Sequence, residues 1–125
     1  MSQNQIFISG NLGSDPETKQ VKDFQLCTFS LAHTPWSKAK GNGETIWFRV
    51  NIWGEKADAV ARELRKGDAV SIVGKFGVSK YTAKDGTEKT ANEITASDIS
   101  ITIKTARTAV SSYEKVVSSE DVPGW

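Results

Sequence analysis

The 125 residues include one cysteine, one histidine and one methionine. A lone cysteine, Cys27, excludes an internal disulfide and a thiolate zinc cage. It stands in the apolar stretch Leu26 to Leu31 and is expected to be a small packing residue. A lone histidine, His33, has no Cys, Asp or Glu at metal-ligand or nucleophile-base spacing, so no catalytic residue, metal or cofactor is expected. No apolar run approaches the roughly 20 residues that would cross a bilayer. The opening Met1 to Gln5 lacks the basic and apolar parts of a signal peptide, which gives the expectation of a cytoplasmic protein that stays where it is made. A large surplus of either sign is missing too: sixteen Lys plus Arg stand against fifteen Asp plus Glu, a net +1. Strong polyanion binding by charge alone is therefore not expected.

What is present is mostly strand-like. Gln5 to Leu12 alternates Ile6, Ile8, Gly10 and Leu12 with Phe7, Ser9 and Asn11, the period of a strand, and Gly13-Ser14-Asp15-Pro16 ends it. Leu26 to His33 is a second strand with Cys27, Phe29 and Leu31 on one face. Thr34 to Thr45, rich in Gly, Asn and Lys, reads as a long mobile loop carrying Trp36. In Ile46 to Trp53 every even position is apolar, while the odd positions read Trp47, Arg49, Asn51, Trp53. Glu55 to Arg65 has helical spacing, with Lys66-Gly67 as its stop. Asp68 to Thr82 reads as one bent strand or two strands around Gly74 and Gly77, Asp85-Gly86 as a hairpin tip, and Ala91 to Ile94 and Asp98 to Ile103 as final strands. From Lys104 onward the periodicity stops. One domain over residues 1–104 and a flexible tail over 105–125 are expected.

The odd face of Ile46 to Trp53 is the most informative feature. Phe48, Val50 and Ile52 suffice for a core, so Trp47 and Trp53 point away from it and expose apolar surface unless something covers them. A subunit interface or a second packing layer would cover them. The placement of Trp36 before Lys38 and Lys40, and of Tyr81 between Lys80 and Lys84, favours another: aromatics interleaved with cations suit stacking on nucleobases beside phosphates. Stacking adds about 1–3 kcal/mol per base and needs little net charge.

Several motifs together resemble the bacterial-type single-stranded DNA-binding proteins over residues 3 to 104: Gly10-Asn11-Leu12-Gly13-x-Asp15-Pro16-Glu17, Trp47-Phe48-Arg49-Val50 with Trp53-Gly54-Glu55-Lys56-Ala57, Leu64-Arg65-Lys66-Gly67, and Lys80-Tyr81-Thr82. The resemblance implies an all-β, five-stranded oligonucleotide-binding (OB) Greek-key barrel with one helix between the third and fourth strands. It further implies a homotetramer that binds and protects single-stranded DNA in replication, recombination and repair, without enzymatic activity. By position Trp36, Trp47, Trp53 and Tyr81 match the family's stacking aromatics and Arg49 a basic residue on its binding face. Lys38, Lys75, Lys80 and Lys84 are the other cations expected at the DNA. Trp53 stands where the family often has phenylalanine, Tyr81 where it often has tryptophan, and Phe48 where histidine is common. Glu120, Asp121, Val122, Pro123 and Trp125 resemble a reduced form of the family's acidic tip, which would recruit DNA-processing proteins. Two other readings use the same aromatics: a primosome-type assembly factor, for protein contacts, and a carbohydrate-binding module, for sugars.

Overall fold

The computed structural model describes residues 3–102. Their strands are β1 (Ile6–Leu12), β2 (Glu17–Val21), β3 (Phe24–His33), β4 (Trp36–Ser37), β5 (Gly41–Asn42), β6 (Ile46–Trp53), β7 (Ala69–Thr82) and β8 (Glu88–Ile101), with one helix, α1 (Glu55–Glu63). Six strands form one sheet in the order β1-β7-β8-β6-β3-β2, and β1 also pairs with β3 through Asn11↔Ala32 and Leu12↔Leu31. Five strands therefore close a ring, β1-β7-β8-β6-β3-β1, and β2 hangs on the half of β3 that β1 leaves free. Residues 103–125, including the expected tail and its tip from Glu120 to Trp125, lie outside the described residues.

Alternation builds the interior. Ile8 and Leu12 of β1, Cys27, Phe29 and Leu31 of β3, Phe48, Val50 and Ile52 of β6, Val70 and Ile72 of β7 and Ile94 of β8 make one buried cluster. Helix α1 adds Ala57 and Val60, with Leu64 at its C-cap, and rests chiefly against β3. Two of the sequence motifs meet at one junction. Leu12 exchanges backbone hydrogen bonds with Asp68 and Gly67, Asn11 Nδ2 donates to the Gly67 carbonyl, and the Lys66 amide donates to Asp15 Oδ1 at 2.8 Å. The β1 end and the turn after α1 are thus tied together, which fixes where the helix hands the chain to β7.

The strand inventory differs from the sequence expectation in three places. Glu17–Val21 forms β2, although its residues are nearly all exposed and polar; an edge strand without a buried face has no apolar period to reveal it. The loop expected over Thr34 to Thr45 holds a two-residue ladder, Trp36↔Asn42 and Ser37↔Gly41, braced by a Thr34–Thr45 hydroxyl pair at 2.8 Å. β7 and β8 are each continuous, because a register shift at Val73/Gly74 absorbs one extra residue, Ser97, without breaking the ladder. At Gly74 any side chain would collide with the Thr95 carbonyl, so the bulge needs glycine there.

Candidate functional site

Register gathers the odd face of β6 into a larger surface. Across β3, Trp47, Arg49, Asn51 and Trp53 stand opposite Ala32, Ser30, Thr28 and Leu26. On the other side β8 runs parallel, with Glu93 beside Arg49 and Thr95 beside Asn51. β7 then places Lys75 opposite Thr95, Gly77 opposite Glu93, Ser79 opposite Ala91 and Tyr81 opposite Lys89. Directly opposed residues share a face, so Trp47, Arg49, Trp53, Lys75 and Tyr81 line one continuous outer surface. Along β6 the two tryptophans are about 20 Å apart, six residues at strand rise.

Each aromatic is held differently. Trp53 ends β6 and is 44% exposed. Trp47 is half-buried: its ring lies over Gly13, where a side chain would run into it, and its carbonyl accepts from Asn92 Nδ2 at 3.3 Å. Gly13 thereby seats the indole against the β1–β3 junction. Trp36, 67% exposed, is carried by the β4–β5 ladder, which leaves β3 and rejoins β6 at the Trp47 end of the face. Tyr81 is half-buried on the β7–β8 hairpin, whose tip is closed by Asp85 accepting from the Thr87 hydroxyl at 2.6 Å and amide at 3.0 Å. Those bonds, the hydroxyl's first, hold the Asp85 carboxyl below its usual pKa.

The cations divide. Arg49 is half-buried in the middle of the face, Lys75 is exposed on it, and Lys38 and Lys84 are exposed on the β4–β5 segment and the hairpin tip. Lys80 is not with them: it stands opposite Thr90 on the other side of the hairpin from Tyr81, with its ammonium 3.8 Å from Glu88. Neighbours in sequence on a strand point to opposite faces, so flanking Tyr81 does not bring Lys80 to Tyr81's surface. The ion pairs among the described residues are Lys56–Asp98, Arg62–Glu63 and Lys80–Glu88, none of which engages Arg49 or Lys75.

Four residues of this surface were not singled out from the sequence. Glu93 puts a carboxylate at its centre and accepts from Asn51 Nδ2 at 2.9 Å. Lys89 faces Tyr81, and Lys19 of β2 faces Leu26, whose other neighbour is Trp53. Phe24, 61% exposed, stands two residues from Leu26 on the same face. None could be found by local pattern, because each joins the face only through strand pairing. Among the described residues no group of three or more His, Cys, Asp or Glu could hold a metal ion. The surface is open, polar and aromatic, suited to a long flat ligand with stackable rings and negative charge.

Known proteins resemble this chain in sequence and in fold. The model of the single-strand binding protein family matches residues 3–102. A "Single-stranded DNA-binding protein" of Xanthomonas campestris pv. campestris is 37% identical over 100 residues, covering 77% of this chain and 58% of the relative. One from Neisseria meningitidis serogroup A is 32% identical over 103 residues, covering 79% of this chain and 59% of the relative. The chain thus spans less than two thirds of the length of these relatives. Among solved structures, a small single-stranded DNA-binding protein from Streptomyces coelicolor is similar with a TM-score of 0.71 at 25% identity, covering 82% of this chain and 97% of that one.

Proposed function

The chain belongs to the single-strand binding protein family, and from that premise we propose that it binds and protects single-stranded DNA with little sequence preference in replication, recombination and repair, as a binding protein and not an enzyme. The observation that carries the reading is the shared face of Trp47, Arg49 and Trp53 on β6, continued by Lys75 and Tyr81 on β7. The scaffold is of the OB type: the closed five-strand ring and the helix between its third and fourth members in chain order support this. Bases stack on Trp47, Trp53, Tyr81 and Trp36, while Arg49, Lys38, Lys75 and Lys84 take phosphates.

Residues 1–104 act as the binding domain, and residues 105–125 as a tail whose tip, Glu120 to Trp125, engages DNA-processing proteins in the cytoplasm. The domain works as a homo-oligomer, a tetramer first. Support comes from β1, which pairs with β3 only at Asn11 and Leu12, so that Ile6 to Gly10 leave one edge without a strand among the described residues. Such edges favour pairing with another chain. Phe7 beside that edge is 71% exposed.

The test is titration of the full chain with oligo(dT), read by intrinsic tryptophan fluorescence. Quenching that saturates is expected, with none from oligosaccharides and a gradual loss of affinity with salt. A log-log salt slope near −10 would contradict stacking as the main contribution, and absence of quenching and of binding would remove the reading altogether.

A further inference from the structure

We propose that Phe24 is an additional base-stacking residue that carries the DNA path past Trp53 onto the β2–β3 hairpin, an inference that rests on the binding face described above. β2 and β3 are joined by a two-residue turn, Lys22-Asp23, with Lys22 at φ 54°. Val21 pairs with Phe24 and Lys19 with Leu26, so Phe24 shares the face of Leu26, which itself stands opposite Trp53. Phe24 is therefore the diagonal neighbour of Trp53, about 7–8 Å away between backbones and within reach of aromatic side chains.

Its surroundings point to an absent partner. The other phenylalanines of β3 and β6, Phe29 and Phe48, are buried, whereas Phe24 is 61% exposed. The one aromatic pair among the described residues is Phe48 with Phe76, at 6.1 Å and 72°, so Trp53 does not cover the Phe24 ring. Two cations and one carboxylate stand near it: Lys22 and Asp23 form the turn and Lys19 shares its face, all exposed. The turn is braced by Gln20 Nε2 donating to the Lys22 carbonyl at 3.2 Å, and the Val21↔Phe24 pairing fixes the backbone of Phe24 before any ligand arrives. An exposed ring on a paired strand, diagonal to the exposed Trp53 and with Lys19 and Lys22 on neighbouring positions, reproduces at this end of the face the combination that Trp36 and Lys38 supply at the other. The ligand it fits is one further nucleobase of a strand already stacked on Trp53, with its phosphate toward Lys19 or Lys22.

The experiment compares the full-length protein with F24A and F24Y on oligo(dT) of increasing length, by equilibrium binding together with light scattering. Wild type should gain affinity as the oligomer grows long enough to pass Trp53. F24A should lose about 5- to 150-fold on those longer oligomers, the equivalent of roughly 1–3 kcal/mol for one stacked base, and nothing on the shortest ones that bind. F24Y should behave as wild type. Equal affinities of F24A and wild type at every length overturn the proposal, as does an equal loss at all lengths or a change in oligomer size without a change in binding. If wild type itself fails to bind any oligomer, it is the DNA-binding reading that has failed.

Discussion

Strand β6 carries Phe48, Val50 and Ile52 on one face and Trp47, Arg49, Asn51 and Trp53 on the other. The first three are buried in the ring's interior, and the second four range from half-buried to exposed. Both faces hold large apolar side chains, so hydrophobicity alone does not separate them. What separates them is what they meet. The inner face meets α1 and the opposing strands and stabilises the fold, each fully buried side chain contributing about 1.5–3 kcal/mol. The outer face meets solvent, yet the same backbone ladder that fixes the core also fixes its indoles and guanidinium in place. Little ordering is then left for a ligand to impose. Stability and the proposed binding are adjacent functions of one strand, divided by a single residue step.

The largest effect should come from the inner face. Replacing Ile52, buried opposite Cys27, by alanine should remove about 2–5 kcal/mol of stability, seen as a lower urea midpoint, while the protein that remains folded binds oligo(dT) as wild type does. A loss of affinity in the folded fraction would show that the two faces are coupled. The converse substitution, W53A, should weaken oligo(dT) binding by about 1–3 kcal/mol and leave the urea midpoint nearly unchanged. A lowered midpoint with unchanged affinity would make the outer face structural after all.

The same division can be sharpened on the β7–β8 hairpin, where Lys75 lies on the face of Tyr81 and Lys80 on the opposite one beside Glu88. K75A should reduce the salt slope of binding by about 1, the mark of a lost phosphate contact, and K80A should leave it as in wild type. Equal slopes for the two variants would break the assignment of faces.

The smallest effect concerns Cys27, whose thiol pKa is pushed up from 9.0 to about 11, first by burial and then by the nearby Asp58 carboxylate. Below pH 9 the thiol is protonated in both states and its contribution to stability is complete. Between pH 9 and 11 the unfolded chain ionises first, so stability falls as pH rises. Urea midpoints measured across that window should fall more steeply for wild type than for C27A. Parallel curves would show that the thiol plays no part.

Local pattern carried much of this molecule. The alternation in Ile46 to Trp53 separated core from outer face except at Ile46, which is 42% exposed, the helical spacing from Glu55 found α1, and Asp85-Gly86 marked the hairpin tip. Trp36, Trp47, Trp53 and Tyr81 stand out in sequence by non-core position, by flanking lysines or by family resemblance, and the structure leaves Trp36 and Trp53 exposed and Trp47 and Tyr81 half-buried. Lys80 marks the limit of local pattern: it adjoins Tyr81 in sequence, but strand geometry puts the two on opposite sides. β2 escaped notice because an exposed polar edge strand buries nothing and so leaves no period.

By itself, then, the sequence determined which residues of β3 and β6 face inward, because along an unbroken strand that choice depends only on a period of two and on hydrophobicity. It also determined that no disulfide closes within the chain, because one cysteine has no second to pair with. Only the tertiary structure decided which outward residues stand side by side. Glu93 reaches the centre of the face through the parallel pairing of β6 and β8, and Phe24 reaches Trp53 through the register of β2, β3 and β6. The Ser97 bulge turns the inward set from Ile94 to Ile99. Register is a relation between segments distant in the chain, set by the closing of the ring, and a local window contains no information about it.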